Sequence, residues 1–104
     1  MPSQLGSLTF MPTLRIEHEV PDFGGWRSVF DSDPADRRGS GVRRYRVSRS
    51  VDDPNYVLID LDFDTVAEAE GLLNTMREIW GGVGKDFMRN PQARIVETVE
   101  FQEL

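Results

Sequence analysis

Apolar and polar residues alternate strictly along Thr13–Val20. Leu14, Ile16, His18 and Val20 fall on one side; Arg15, Glu17 and Glu19 fall on the other. A period of two marks a half-buried strand. Pro21 ends it, and Asp22 is suited to cap a helix. Phe23, Trp26 and Phe30 follow at i, i+3 and i+7, predicting an amphipathic helix to about Asp31. Gly24 and Gly25 each weaken it by about 1 kcal/mol relative to alanine, which suggests close backbone packing. Residues 32–41 form a polar loop. Residues 42–49 predict a second strand with Val42, Arg44 and Arg46 on one face and Tyr45 and Val47 on the other. Asp52-Asp53-Pro54-Asn55 is a turn signal, so the next strand, Tyr56 to Phe63, should pair back as a hairpin. Its apolar face is Val57, Ile59, Leu61 and Phe63; Tyr56, Leu58, Asp60 and Asp62 share the other.

Thr65-Val-Ala-Glu68 is a capping box. It opens a helix to Trp80 with a stripe of Val66, Ala69, Leu72, Leu73, Met76 and Ile79, stopped by Gly81 and Gly82. Residues 83–91 are irregular or a short extra turn. Ala93 to Phe101 is a last strand whose facing stays open, since Ile95, Val96, Val99 and Phe101 span both parities. The order is β-α-β-β-α-β. With right-handed crossovers it closes as a four-stranded antiparallel sheet, spatial order 4-1-3-2, with both helices on one face. The fold class is therefore a ferredoxin-like α+β sandwich. Residues 12–104 make one domain, and residues 1–11 are an N-terminal extension, disordered or tag-like.

Charge and composition narrow the function classes. The 104 residues carry a net charge of −6, which argues against nucleic acid or an anionic membrane as partner. Cysteine is absent and His18 is the single histidine, which removes disulfides, thiolate catalysis, Cys-type zinc and any two-histidine metal site within one chain. No apolar run approaches the roughly 18 residues of a membrane span. The start of the chain lacks the parts of a secretory signal, so a cytoplasmic location is expected.

One sheet face lies against the helices. The other carries Arg15, Glu17 and Glu19, then Asp60 and Asp62, then Arg44 and Arg46 in neighbouring columns. It is either a solvated face of self-neutralising pairs or a polar network between two sheets packed face to face. Leu58, Tyr56 and the apolar residues of the last strand favour the dimer.

The segment Pro12-Thr-Leu-Arg-Ile-Glu-His-Glu-Val-Pro-Asp-Phe-Gly-Gly-Trp-Arg-Ser-Val-Phe-Asp31 resembles the opening of the dimeric α+β barrel superfamily. There a short strand precedes a "V-x-D-F-x-x-W-x-x-x-F-D" helix. Tyr56–Phe63 followed by Thr65-Val-Ala-Glu-Ala-Glu resembles that group's third strand and second helix. The superfamily includes cofactor-independent antibiotic-biosynthesis monooxygenases and small aromatic polyketide cyclases. The resemblance implies a homodimer joined sheet to sheet, each protomer keeping a pocket between sheet and helices. It implies a small hydrophobic or aromatic ligand and no cofactor. Haem-degrading members carry a histidine on the second helix; this helix has none, so haem is not expected. No catalytic motif of the group matches here.

His18, mid-strand on the helix-facing side, is the candidate catalytic base; its plainer role is a core histidine bonded to a backbone carbonyl or to the Tyr45 hydroxyl. Trp26, Phe30, Tyr45, Met76 and Trp80 are the candidate aromatic ligand pocket; their plainer role is core packing. Asp60 and Asp62 are more simply partners of Arg44 and Arg46 than a cation site. Gly81-Gly-Val-Gly-Lys85 lacks the first glycine and the following Ser/Thr of a phosphate loop and follows a helix, so it is rejected. Six arginines between Arg37 and Arg49 either guide an acidic ligand to the loop mouth or protect an edge strand. RNA-recognition modules share this topology, but four exposed carboxylates would repel phosphate. The alternative to an enzyme is a non-catalytic ligand-sensing or accessory dimer with a filled core.

Overall fold

The computed structural model describes residues 11–82 and 89–104. Strand β1 is Pro12–Glu19, helix α1 Phe23–Asp31, β2 Arg44–Arg49, β3 Tyr56–Asp62, α2 Val66–Gly81 and β4 Arg89–Glu97. The strands form one antiparallel sheet ordered β2-β3-β1-β4, which is the ferredoxin-like arrangement expected from the sequence. Residues 1–10 of the N-terminal extension, and residues 83–88 of the segment after α2, lie outside the described residues.

The register follows the alternation. Leu14 pairs Leu61 and Ile16 pairs Ile59, so their side chains form one apolar layer. Phe63, Ala69, Leu72 and Trp26 complete the core beneath the helices. Both helix starts are held as their sequences predict. The Asp22 carboxylate accepts from the Gly25 N–H at 2.8 Å. The Thr65 hydroxyl accepts from the Glu68 N–H at 3.1 Å, and Glu68 accepts from the Thr65 N–H at 3.2 Å. Replacing Thr65 by alanine is expected to cost about 1 kcal/mol, read as a lower urea midpoint with an unchanged slope.

Four local expectations are corrected. The last strand starts earlier and stops at Glu97, not Phe101. Its β1 ladder ends at the Pro12–Glu97 pair, where proline has no N–H to continue the pairing. The register also settles its facing: Ala93 and Ile95 lie over Ile16 and Leu14 on the helix side, and Gln92, Arg94 and Val96 lie on the open face. Val42 precedes β2 and packs against the core instead of joining Arg44 and Arg46, because the Val42 N–H turns back to the Arg37 carbonyl. Val66 is 45% exposed, so the apolar stripe of α2 begins at Ala69. The neighbour a Cβ would meet at Gly24 and Gly25 is the Asp22 cap carboxylate at 3.4 Å, an ordinary contact, not another element's backbone.

Gly41 is different. Its φ of 101° is in the left-handed region, and a Cβ there would lie 3.0 Å from the Glu68 carboxylate. This glycine lets the long loop after α1 close against the start of α2.

Candidate site between sheet and helices

His18 reaches the core because the period of β1 points it with Leu14 and Ile16 at the helices. It is 1% exposed. Its Nδ1 lies 3.2 Å from the Glu19 carbonyl, an arrangement in which Nδ1 carries the proton and Nε2 keeps a lone pair. Nε2 is buried and has no hydrogen-bond partner among the described residues. Burial pushes the His18 pKa below its ordinary value, outweighing the opposing hydrogen bond to Glu19. The ring is therefore neutral at pH 7 and offers an unused acceptor.

The surrounding aromatic residues form a chain. Trp26 meets His18 edge-on at 5.9 Å and stacks on Phe30 at 5.1 Å. Phe30 in turn meets Tyr45 edge-on at 5.4 Å. A small cavity of about 50 Å³ opens beside them, walled by His18, Trp26, Phe30, Met76, Ile79 and Arg37. Of the residues expected to line a pocket, Trp26, Phe30 and Met76 lie in this wall. Tyr45, 45% exposed, stands behind Phe30. Trp80 packs against the core, but the cavity wall does not include it.

Arg37 is the residue whose place the sequence hid. It comes from the loop after α1, which folds back under two aspartates in the left-handed region, Asp33 at φ 58° and Asp36 at φ 51°. Its guanidinium sits 3.9 Å above the Phe30 ring and 4.9 Å from that of Tyr45. One Nη donates to the Phe30 carbonyl at 2.7 Å. The side chain closes one side of the cavity and presents further N–H donors beside it. The arrangement thus combines an apolar body, one buried acceptor and one cation.

The opposite face of the sheet is charged and paired. Arg15 binds Asp60 at 3.0 Å, Arg44 binds Asp62 at 2.5 Å, and the Tyr56 hydroxyl donates to Glu17 at 2.6 Å. Asp62 is engaged by Arg44 as expected, but Asp60 is taken by Arg15 of the neighbouring strand and not by Arg46. Register places Arg46, Asp60, Arg15 and Arg94 in one row across all four strands, three cations to one anion. No helix of the described residues is long and apolar enough to cross a membrane.

No protein-family model and no curated protein matches the chain. Solved structures do. A variant of SnoaB, a cofactor-independent oxygenase from Streptomyces nogalater, is similar with a TM-score of 0.72 at 13% identity, over 88% of this chain and 95% of that one. A Nitrosomonas europaea protein provisionally named an antibiotic biosynthesis monooxygenase gives 0.69 at 14% identity, over 88% and 92%. A dimeric ferredoxin-like protein from an uncultured marine organism gives 0.61 at 10% identity, over 89% and 99%. At such identities the likeness is one of fold: this chain has the ferredoxin-like architecture to which its sequence resemblance pointed.

Proposed function

We propose that the protein is a cytoplasmic homodimer, joined through the open faces of its sheets, that binds a small hydrophobic or aromatic molecule between sheet and helices. In this reading it acts as a cofactor-independent monooxygenase or polyketide-type cyclase. The observation that carries it is the Nε2 of His18, a buried acceptor without a partner in the wall of an apolar cavity. Leaving such a group unsatisfied costs about 1–3 kcal/mol, a cost that a ligand hydroxyl would remove. A proton received at Nε2 would make an imidazolium that burial disfavours, so it would be held briefly and returned. Arg37 supplies positive charge beside the same cavity, where an oxygen losing its proton becomes negative.

The cavity is smaller than such a ligand. A dry cavity of about 150 Å³ accommodates benzene, against about 50 Å³ here. Binding would therefore displace Phe30, in the last turn of α1, and Arg37, in the loop that follows, outward. The closed volume favours the second reading, an accessory or sensing dimer with a filled core. Titration of the protein with naphthoquinone-like probes separates the two. Saturable quenching of tryptophan fluorescence, lost in His18→Leu, is expected for the first reading. Linear, non-saturating quenching would leave the second.

Support for the dimer comes from the apolar Leu58 and Val96, which the register places on the open face, and from the dimeric fold neighbour. Light scattering at micromolar concentration is expected to give twice 11.9 kDa. A monomer across dilution and salt would remove the dimer.

A further inference from the structure

Two groups in the cavity wall have needs that the described residues leave unmet. The first is His18 Nε2, a buried acceptor without a hydrogen-bond donor. The second is Arg37. Among the described residues five salt bridges form, and Arg37–Asp33 is the longest, at 3.5 Å against 2.5–3.3 Å for the others. Yet Arg37 is the most covered arginine of the five, its side chain 16% exposed against 43–69%. A cation withdrawn this far from water needs a close carboxylate to offset its lost hydration. Asp33 serves another donor: its Oδ1 accepts from the Arg37 backbone N–H at 2.9 Å. One Nη of Arg37 donates to the Phe30 carbonyl; the other has no hydrogen bond among the described residues.

The approach to Arg37 is basic although the chain carries −6 overall. Arg38 follows in the same loop. Arg49 lies on the helix side, opposite Val57 and over the Phe23 ring at 4.5 Å. Neither has a salt bridge among the described residues. Local positive charge of this kind draws an anion towards an acidic protein. Entry of a ligand larger than the cavity moves Arg37 off the Phe30 carbonyl and off the rings of Phe30 and Tyr45. A neutral ligand leaves those contacts unreplaced. A carboxylate replaces them, because its two oxygens match the fork of the guanidinium.

We propose that Arg37 is the specificity-determining residue of the cavity and selects a small hydroxyaryl carboxylic acid. The hydroxyl donates to His18 Nε2, the ring lies among Trp26, Phe30 and Met76, and the carboxylate takes the Arg37 guanidinium at the mouth. This rests on the ligand-binding reading above and narrows it to an acid. The acid, not the aromatic ring alone, opens the loop, so a neutral molecule of the same shape is turned away.

Calorimetric titration of the full chain with para-hydroxybenzoate, phenol and benzoate tests this. The hydroxy acid should bind roughly tenfold or more tightly than either of the others, the scale of one charged hydrogen bond. In Arg37→Gln its affinity should fall to that of phenol, while phenol binds no more weakly than to the parent. Arg37→Lys keeps the charge without the fork, so it should retain a reduced preference for the acid. Circular dichroism checks that each variant is folded, and the lysine variant decides if the glutamine variant is not. Equal binding of para-hydroxybenzoate and phenol to the parent, or a preference for the acid that survives intact in Arg37→Gln, overturns the role of Arg37 while the ligand cavity stands. Binding of none of the three overturns both.

Discussion

Trp26→Ala is expected to lower stability by about 3–5 kcal/mol, the range for emptying a large aromatic site in a core. Trp26 is 3% exposed and is the hub of the aromatic chain, with Phe23 at 5.8 Å, Phe30 at 5.1 Å and His18 at 5.9 Å. Small domains hold only about 5–15 kcal/mol in total, so this is a large share. For a chain of this size the melting temperature should fall by about 15 °C or more. The void would be lined by His18 and Phe30 and extend the existing cavity. Added indole should recover part of the loss, because a ligand that binds only the folded state stabilises it by mass action. Thermal melts with and without indole check both effects. A loss below about 1 kcal/mol would mean that α1 closes over the gap and that Trp26 does not hold the site open.

The fold was legible where its signals are local. Leu14, Ile16, His18 and Val20 alternate because one sheet face is buried, and Asp22 and Thr65 cap their helices through bonds spanning three residues. Strand ends were not legible in the same way. Thr98, Val99 and Phe101 have strand-forming character, but pairing depends on where a distant strand stops. Here that is Pro12, 85 residues earlier than Glu97. Val42 failed for a related reason: a loop bond to Arg37 decides its side, not its parity with Arg44.

The candidate site divides along the same line. His18, Trp26, Phe30 and Met76 were within reach of sequence because strand parity and helical spacing aim them at one space. Trp80 sits in the last turn of α2, where a small angular difference takes a side chain off the cavity wall. Arg37 lies in a polar loop, and its sequence neighbours suggest only solvent. Its position depends on two left-handed aspartates and on stacking over Phe30, which no spacing rule encodes. The signal available was the cluster of arginines beside a loop rich in Asp and Gly, which is weak.

His18→Leu is expected to stabilise the protein by about 1–2 kcal/mol, a gain opposite in sign to most core substitutions. Leucine is similar in bulk to the imidazole and carries no acceptor to leave unpaired. The loss is one long contact, 3.2 Å, from Nδ1 to the Glu19 carbonyl. The pH dependence should change with it. His18 has a folded pKa below 6.5, so below pH 6.5 the unfolded chain takes a proton that the folded chain refuses. Stability from this group is complete above pH 6.5 and declines as pH falls towards the folded value. Carboxylates titrate lower, near 4, so the decline between about pH 6.5 and 5 belongs chiefly to His18. In His18→Leu that part of the slope should vanish. Melting temperatures of both proteins from pH 5 to 8 measure the sign of the shift and the slope together. A marked destabilisation of the variant would make the Glu19 contact, rather than the unused Nε2, the reason histidine stands there. The acceptor beside the cavity would then be a by-product of packing, and the filled-core reading would replace the enzyme.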